Sequence, residues 1–151
     1  MAVEVLCIGL GREPGARTLH VMSDGNPGMS TFIPWDEVTY DRRLLCPVDT
    51  GDRLVSDGRI ARPDAIKLDV EGSERAVIEG LSSLLRTGVR LVFEGDGDMR
   101  AFVAARGFRS IRRLDRQEST EHRLGNYVAE DFIPAGVGDL GRSPGRVDIG
   151  R

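Results

Sequence analysis

Four charged side chains crowd the ends of two neighbouring apolar runs. Lys67, Asp69 and Glu71 alternate along DAIKLDVEG, and Glu94 closes the next run, VRLVFE. Alternation at period two places Lys67, Asp69 and Glu71 on one face of an extended strand. Carboxylates gathered at one place can hold a metal, accept hydrogen bonds from a ligand, or take a proton as a general base. They also have structural uses. Lys67 can pair with Asp69 or Glu71, Asp69 and Glu71 can cap a following helix, and Glu94 can simply mark the exit into a loop. Spacing alone leaves these alternatives open.

The elements that must position these groups are legible nearby. Residues 64–70 read as a strand bounded by Pro63 and Gly72. Ser73 stands where a helix cap belongs, and Val77, Ile78, Leu81, Leu84 and Leu85 make one apolar face of a helix reaching about Arg86. Thr87-Gly88 ends it. Residues 89–94 read as a second strand, 98–106 as a helix with Phe102 and Val103 inward, and FRSIRRL and NYVAEDF as two further strands. Alternating strands and helices argue for an α/β layered domain with a mostly parallel sheet. In such sheets ligands bind beyond the carboxyl ends of the strands, where Asp69, Glu71 and Glu94 fall.

Upstream, residues 3–8 (VEVLCI) suit a short buried strand ended by Gly9 and Gly11. RTLHVM and STFIPW, separated by the turn SDGNPG, suggest an antiparallel hairpin, with Phe32 and Trp35 packing it onto the domain. Residues 36–62 look polar and irregular, with PVDTGDRLV as a short strand and turn before a brief helical piece. The GxG of GLGREPG lacks a third glycine and a helix behind it, so it fails as a dinucleotide fingerprint. Beyond Pro134 the chain is rich in glycine, arginine and aspartate, which sets a boundary between a folded part, 1–133, and a disordered tail, 134–151.

Composition narrows the class. The 151 residues suffice for one domain, and a formal charge of −3 supplies no global positive field for nucleic acid or an anionic membrane. Apolar runs are too short to cross a bilayer, and no leader opens the chain, so the expected compartment is the cytoplasm. Cys7 and Cys46 each sit in apolar stretches outside any CxxC or Cys/His cluster. They read as two buried reduced thiols and not as a metal site. His20 and His122, in a hairpin and a polar loop, read as solvent-facing.

The segment PDAIKLDVEGSERAVIEGLSSLL resembles the signature of FkbM-type methyltransferases, an IK(I/L)DVEG(A/S)E run followed by an apolar helix. CIGLGREPGARTLHV, PVDTGDRLV, VRLVFE and GNYVAEDF resemble its flanking segments in the same order, so the likeness spans about residues 3–133. The resemblance implies a Rossmann-like fold and methyl transfer from S-adenosyl-L-methionine, commonly to an oxygen of a small-molecule or sugar acceptor. Carried over, Lys67, Asp69, Glu71 and Glu74 match the signature and Glu94 the acidic end of the next strand. Asp69, Glu71 and Glu94 become the expected catalytic acids, and Lys67 with Asp69 the expected cofactor contacts. Full-length members begin with a glycine-rich DxGAxxG turn that this chain lacks, so the expected architecture is an incomplete methyltransferase sheet with a hairpin insertion and helices on its faces. Two readings follow. One is a catalytic portion whose missing part is lost to a misplaced start or supplied by a complementing chain; the other is a non-catalytic remnant acting as a structural or partner subunit, with a homodimer covering the open strand edge.

Overall fold

The computed structural model describes residues 3–22, 26–114 and 124–133. Its strands form two sheets. The first orders β1 (Gly9–Leu10), β3 (Arg42–Asp49) and β2 (Gly15–Val21), with β3 in the middle. The second orders β4 (Ala65–Leu68), β5 (Arg90–Gly95), β7 (Gly125–Phe132) and β6 (Phe108–Arg113). Among the described residues four α-helices and a short 3-10 turn (Pro27–Met29) connect them, the helices being α1 (Gly51–Ser56), α2 (Glu74–Glu79), α3 (Ser82–Leu85) and α4 (Gly97–Ala105).

The expectation of a mostly parallel sheet is corrected. β4 and β5 are parallel, but β7 runs antiparallel to both β5 and β6, so two of the three ladders in the larger sheet are antiparallel. The smaller sheet is mixed as well, β1 pairing parallel and β2 antiparallel with β3. The helical crossover between β4 and β5 makes them a parallel pair, while the one between β5 and β6 leaves those strands parallel in direction but separated by β7. β7 follows β6 with no described helix between them and inserts in the reverse direction.

Helices α2, α3 and α4 cover one face of the larger sheet. Val77, Ile78, Leu81, Leu84 and Leu85 are all buried there, against Leu68, Leu91, Phe93 and Tyr127. Burying side chains of this size contributes about 1.5–3 kcal/mol each, which makes this layer the main stabilising element. Asp96 caps α4 through its carboxylate, which accepts from the Met99 N–H at 2.9 Å. The opposite face carries Lys67, Val92 and Glu94 toward solvent.

The expected single helix over 73–86 is two short ones, and Asp52 is the cause. Its carboxylate accepts from the N–H groups of Ser83 (2.7 Å) and Leu84 (2.8 Å), donors that a continuous helix would aim at Glu79 and Gly80. Its own N–H donates to the Gly80 carbonyl at 3.0 Å. Gly80 is required at this break because a Cβ there would be driven into the Gly11 carbonyl oxygen. Ser73 occupies the position before α2 but makes no side-chain capping bond.

Other expectations change as well. Residues 3–8 form no strand; Val3 and Val5 are 78% and 79% exposed, and Cys7 is exposed too, so the buried-thiol reading fails for it, while Cys46 is only partly covered. β2 pairs along its whole length with β3, from Gly15↔Val48 to Val21↔Arg42, whereas the anticipated returning strand STFIPW supplies one isolated bridge, His20↔Thr31. Thr31 instead spends its hydroxyl elsewhere, as described below, and Pro34 interrupts further pairing. β3 itself falls in the stretch read as irregular. Pro47 is tolerated within it because β1 pairs only with Val48 and Asp49, leaving position 47 still an edge. His20 is half-buried, edge-on to Tyr40 with ring centroids 5.4 Å apart. His122 and the tail 134–151 lie outside the described residues.

Candidate functional site

The parallel register Leu68↔Phe93 sets the ends of β4 and β5 side by side. One residue further, Asp69 and Glu94 emerge on the same exposed face. Beyond them the chain turns through Val70, Glu71, Gly72 and Ser73 into α2. The rim of the sheet therefore carries Asp69, Glu71, Glu74 and Glu94 around one short turn.

That turn is unusual in its backbone. Glu71 has φ 47° and Gly72 has φ 92°, two successive left-handed residues. Glycine adopts this region freely, but an L side chain pays about 1–2 kcal/mol, and such positions concentrate at functional sites. The conformation is held from two sides. The Thr31 hydroxyl, fully buried, donates to the Glu71 carbonyl at 2.6 Å. The Glu74 carboxylate accepts long hydrogen bonds from the N–H groups of Val70 and Gly72, both 3.4 Å.

The side chains divide by what already engages them. Lys67 and Asp69 form an ion pair, both largely exposed. Among the described residues the Glu71 and Glu94 carboxylates receive no hydrogen bond or ion pair. Partial burial, and then the negative charges of Asp69, Glu94 and Glu74, hold the Glu71 carboxyl above its ordinary range. A carboxylate so raised is a better proton acceptor near neutral pH than an ordinary glutamate. Asp96, by contrast, is occupied as the α4 cap. The structure therefore brings together all the expected acids, with Lys67 tied to one of them. Among the described residues no group of three or more His, Cys, Asp or Glu side chains is arranged to hold a metal ion.

Sequence reasoning missed the residues that build this rim from a distance. Thr31 lies forty positions before the carbonyl it holds. Trp35, expected only to pack a hairpin, borders the turn: a Cβ on Gly72 would stand 4.0 Å from its indole Nε1. Two shallow hollows flank the acids. One is formed by Pro34–Val38 around Trp35, and the other by Arg12, Arg17, Ile33 and Arg75 beside Gly72. No local pattern announces either contact; a polar Thr and a lone Trp between turn signals were the only marks. Among the described residues no helix is long and apolar enough to cross a membrane.

The family model described as the methyltransferase FkbM domain matches residues 5–110, from before β1 into β6. No curated protein and no solved structure matches the chain. The matched span contains the whole acidic rim, the turn after β4 and both helices behind it. On this match the chain belongs to the FkbM methyltransferase family.

Proposed function

We propose that the chain serves S-adenosyl-L-methionine-dependent methyl transfer to a hydroxyl of a small-molecule or sugar acceptor, with the rim of β4 and β5 as the place where acceptor and cofactor meet. The observation that carries this reading is the Glu71 carboxylate: fixed by a left-handed backbone, raised by partial burial and then by its acidic neighbours, and engaged by no other described side chain. A base in that state can take the proton of an acceptor hydroxyl as its oxygen attacks the methyl group. Asp69 and Glu94 add negative charge that favours the cationic sulfonium end of the cofactor. Lys67 positions Asp69 through their ion pair.

The fit to the cofactor is partial. The acids match its positive charge, but the hollows beside them are open. At the junction of β3 and α1, where a glycine follows a strand and precedes a helix, Leu81 fills the space against Gly51. The described residues thus offer the charge complement and not an enclosure for adenosine.

Calorimetric titration of the chain with S-adenosyl-L-methionine tests the reading. Weak binding, about 0.1–1 mM or roughly −5 kcal/mol, is expected, and it should weaken further in Glu94→Gln. Micromolar affinity would refute the partial-fit argument. No heat at several millimolar would favour the second reading, a non-catalytic subunit that keeps the stable half of the fold.

A further inference from the structure

The hollow on the Gly72 side differs in charge from the rim it adjoins. It is an open groove of about 360 Å³ between the β1–β2 turn, β2 and the start of α2, lined by Arg12, Glu13, Arg17, Ile33, Gly72 and Arg75. Three guanidinium groups border it in a chain whose formal charge is −3. Arg12 is engaged by the Glu79 carboxylate, which Arg106 also holds at 3.0 Å. Arg75 lies 4.9 Å from the Phe102 ring centroid, which steadies the guanidinium without consuming its N–H donors. Arg17 and Arg75 have no acidic partner among the described residues, and Glu13, the one acid in the groove, forms no ion pair with them.

Two planar donor forks without acids, beside an apolar wall at Ile33, suit a carboxylate or a phosphate. Guanidinium geometry matches both ions through paired N–H donors. We propose that this groove is the subsite for an anionic group, carboxylate or phosphate, on the methyl acceptor, an assignment that rests on the methyl-transfer reading above. Gly72 belongs to the groove and its neighbour Glu71 to the rim, so an acceptor anchored here by its anion would extend its hydroxyl toward the acids. Their negative charge would repel the anion from the rim itself, which fixes the orientation.

Arginine Nε–Hε signals of the full chain, followed by NMR while inorganic phosphate or acetate is added at low ionic strength, test this. Arg17 and Arg75 should shift saturably, with dissociation constants of about 1–10 mM for at least one of the two probes. The Arg17→Gln/Arg75→Gln double variant should bind at least about tenfold more weakly, a loss of roughly 1.4 kcal/mol. Both positions lie on the surface, and each single variant repeats the measurement should the double variant fold poorly. Shifts that grow linearly and match those of the exposed, remote Arg109 would overturn the proposal for both probes. A parallel titration with S-adenosylhomocysteine separates the two sources of a carboxylate. If the double variant weakens its binding by the same factor, the groove holds the cofactor's carboxylate and the acceptor assignment falls. Saturable phosphate binding in a chain that binds no S-adenosyl-L-methionine would sink the methyl-transfer reading while leaving the anion site itself established.

Discussion

Replacing Glu71 by glycine and, separately, by glutamine should separate two costs held in one residue. The left-handed φ of 47° costs an L residue about 1–2 kcal/mol. Glycine removes that cost but loses about 0.5–1 kcal/mol through its freer unfolded chain, so the net relief centres on about 0.75 kcal/mol. Glutamine keeps the strain and removes only the charge. The Thr31 hydroxyl bond survives both changes because it ends on the backbone carbonyl. Glu71→Gly should therefore melt about 1.5–3 °C above Glu71→Gln. The charge has its own signature. Since the folded carboxyl is raised above its ordinary value, the folded state binds the proton more tightly than the unfolded one. That stability is present below about pH 4.5 and is lost as pH rises through the raised folded value. Wild type should then lose stability relative to Glu71→Gln across that window, and the two should run parallel above it. Urea unfolding from pH 4 to pH 8 measures both effects. A glycine variant no more stable than the glutamine one would refute the strain. A wild-type profile parallel to Glu71→Gln throughout would refute the raised carboxyl, and with it both the partial burial and the repulsion by neighbouring acids that raise it.

Two further substitutions probe the frame that holds the rim. Asp52→Ala strips the acceptor from the Ser83 and Leu84 N–H groups and should cost about 1–2 kcal/mol in denaturant unfolding, with Asp52→Asn recovering part of it; a loss under about 0.3 kcal/mol would mean that water replaces the carboxylate. Gly80→Ala forces a methyl group into the Gly11 carbonyl and should cost about 1–3 kcal/mol by overpacking, whereas Gly15→Ala, whose Cβ meets nothing within 4 Å, should leave the melting temperature nearly unchanged.

What the sequence disclosed follows from where its signals originate. β4, β5, α4 and the buried face of α2 and α3 were legible because apolar period and local stop signals coincide there, as at Asp96 and Gly107. β3 was not, because Arg42 through Leu45 are all exposed and no alternation marks an inner face. The apolar run at 3–8 misled for the converse reason: periodicity reports what could be buried, and burial needs a partner strand that this run does not have among the described residues. The division of the long helix was invisible locally, since Asp52 imposes it from thirty residues away. The adjacency of the acidic strand ends could be anticipated, because a helical crossover between two strands commonly makes them parallel neighbours. The direction of β7 could not, because no crossover dictates it.

The acids near the rim look alike in sequence, and the structure ranks them by what each has left to give. Asp52 is spent on backbone N–H groups, Asp96 on the α4 cap, Asp49 on Arg59 and the Thr50 N–H, and Asp69 on Lys67. Each of these is explained by stability. Glu71 is the reverse case: its backbone is held in a costly conformation by a buried hydroxyl, and the carboxylate so presented is used by nothing described in the fold. Strain that stabilises no internal contact of the side chain is a cost without a structural return, and a ligand that meets the carboxylate supplies one. Within the proposed reading, Glu71 therefore stands ahead of Asp69 as the group that takes the acceptor's proton, with Glu94 shaping the charge around it.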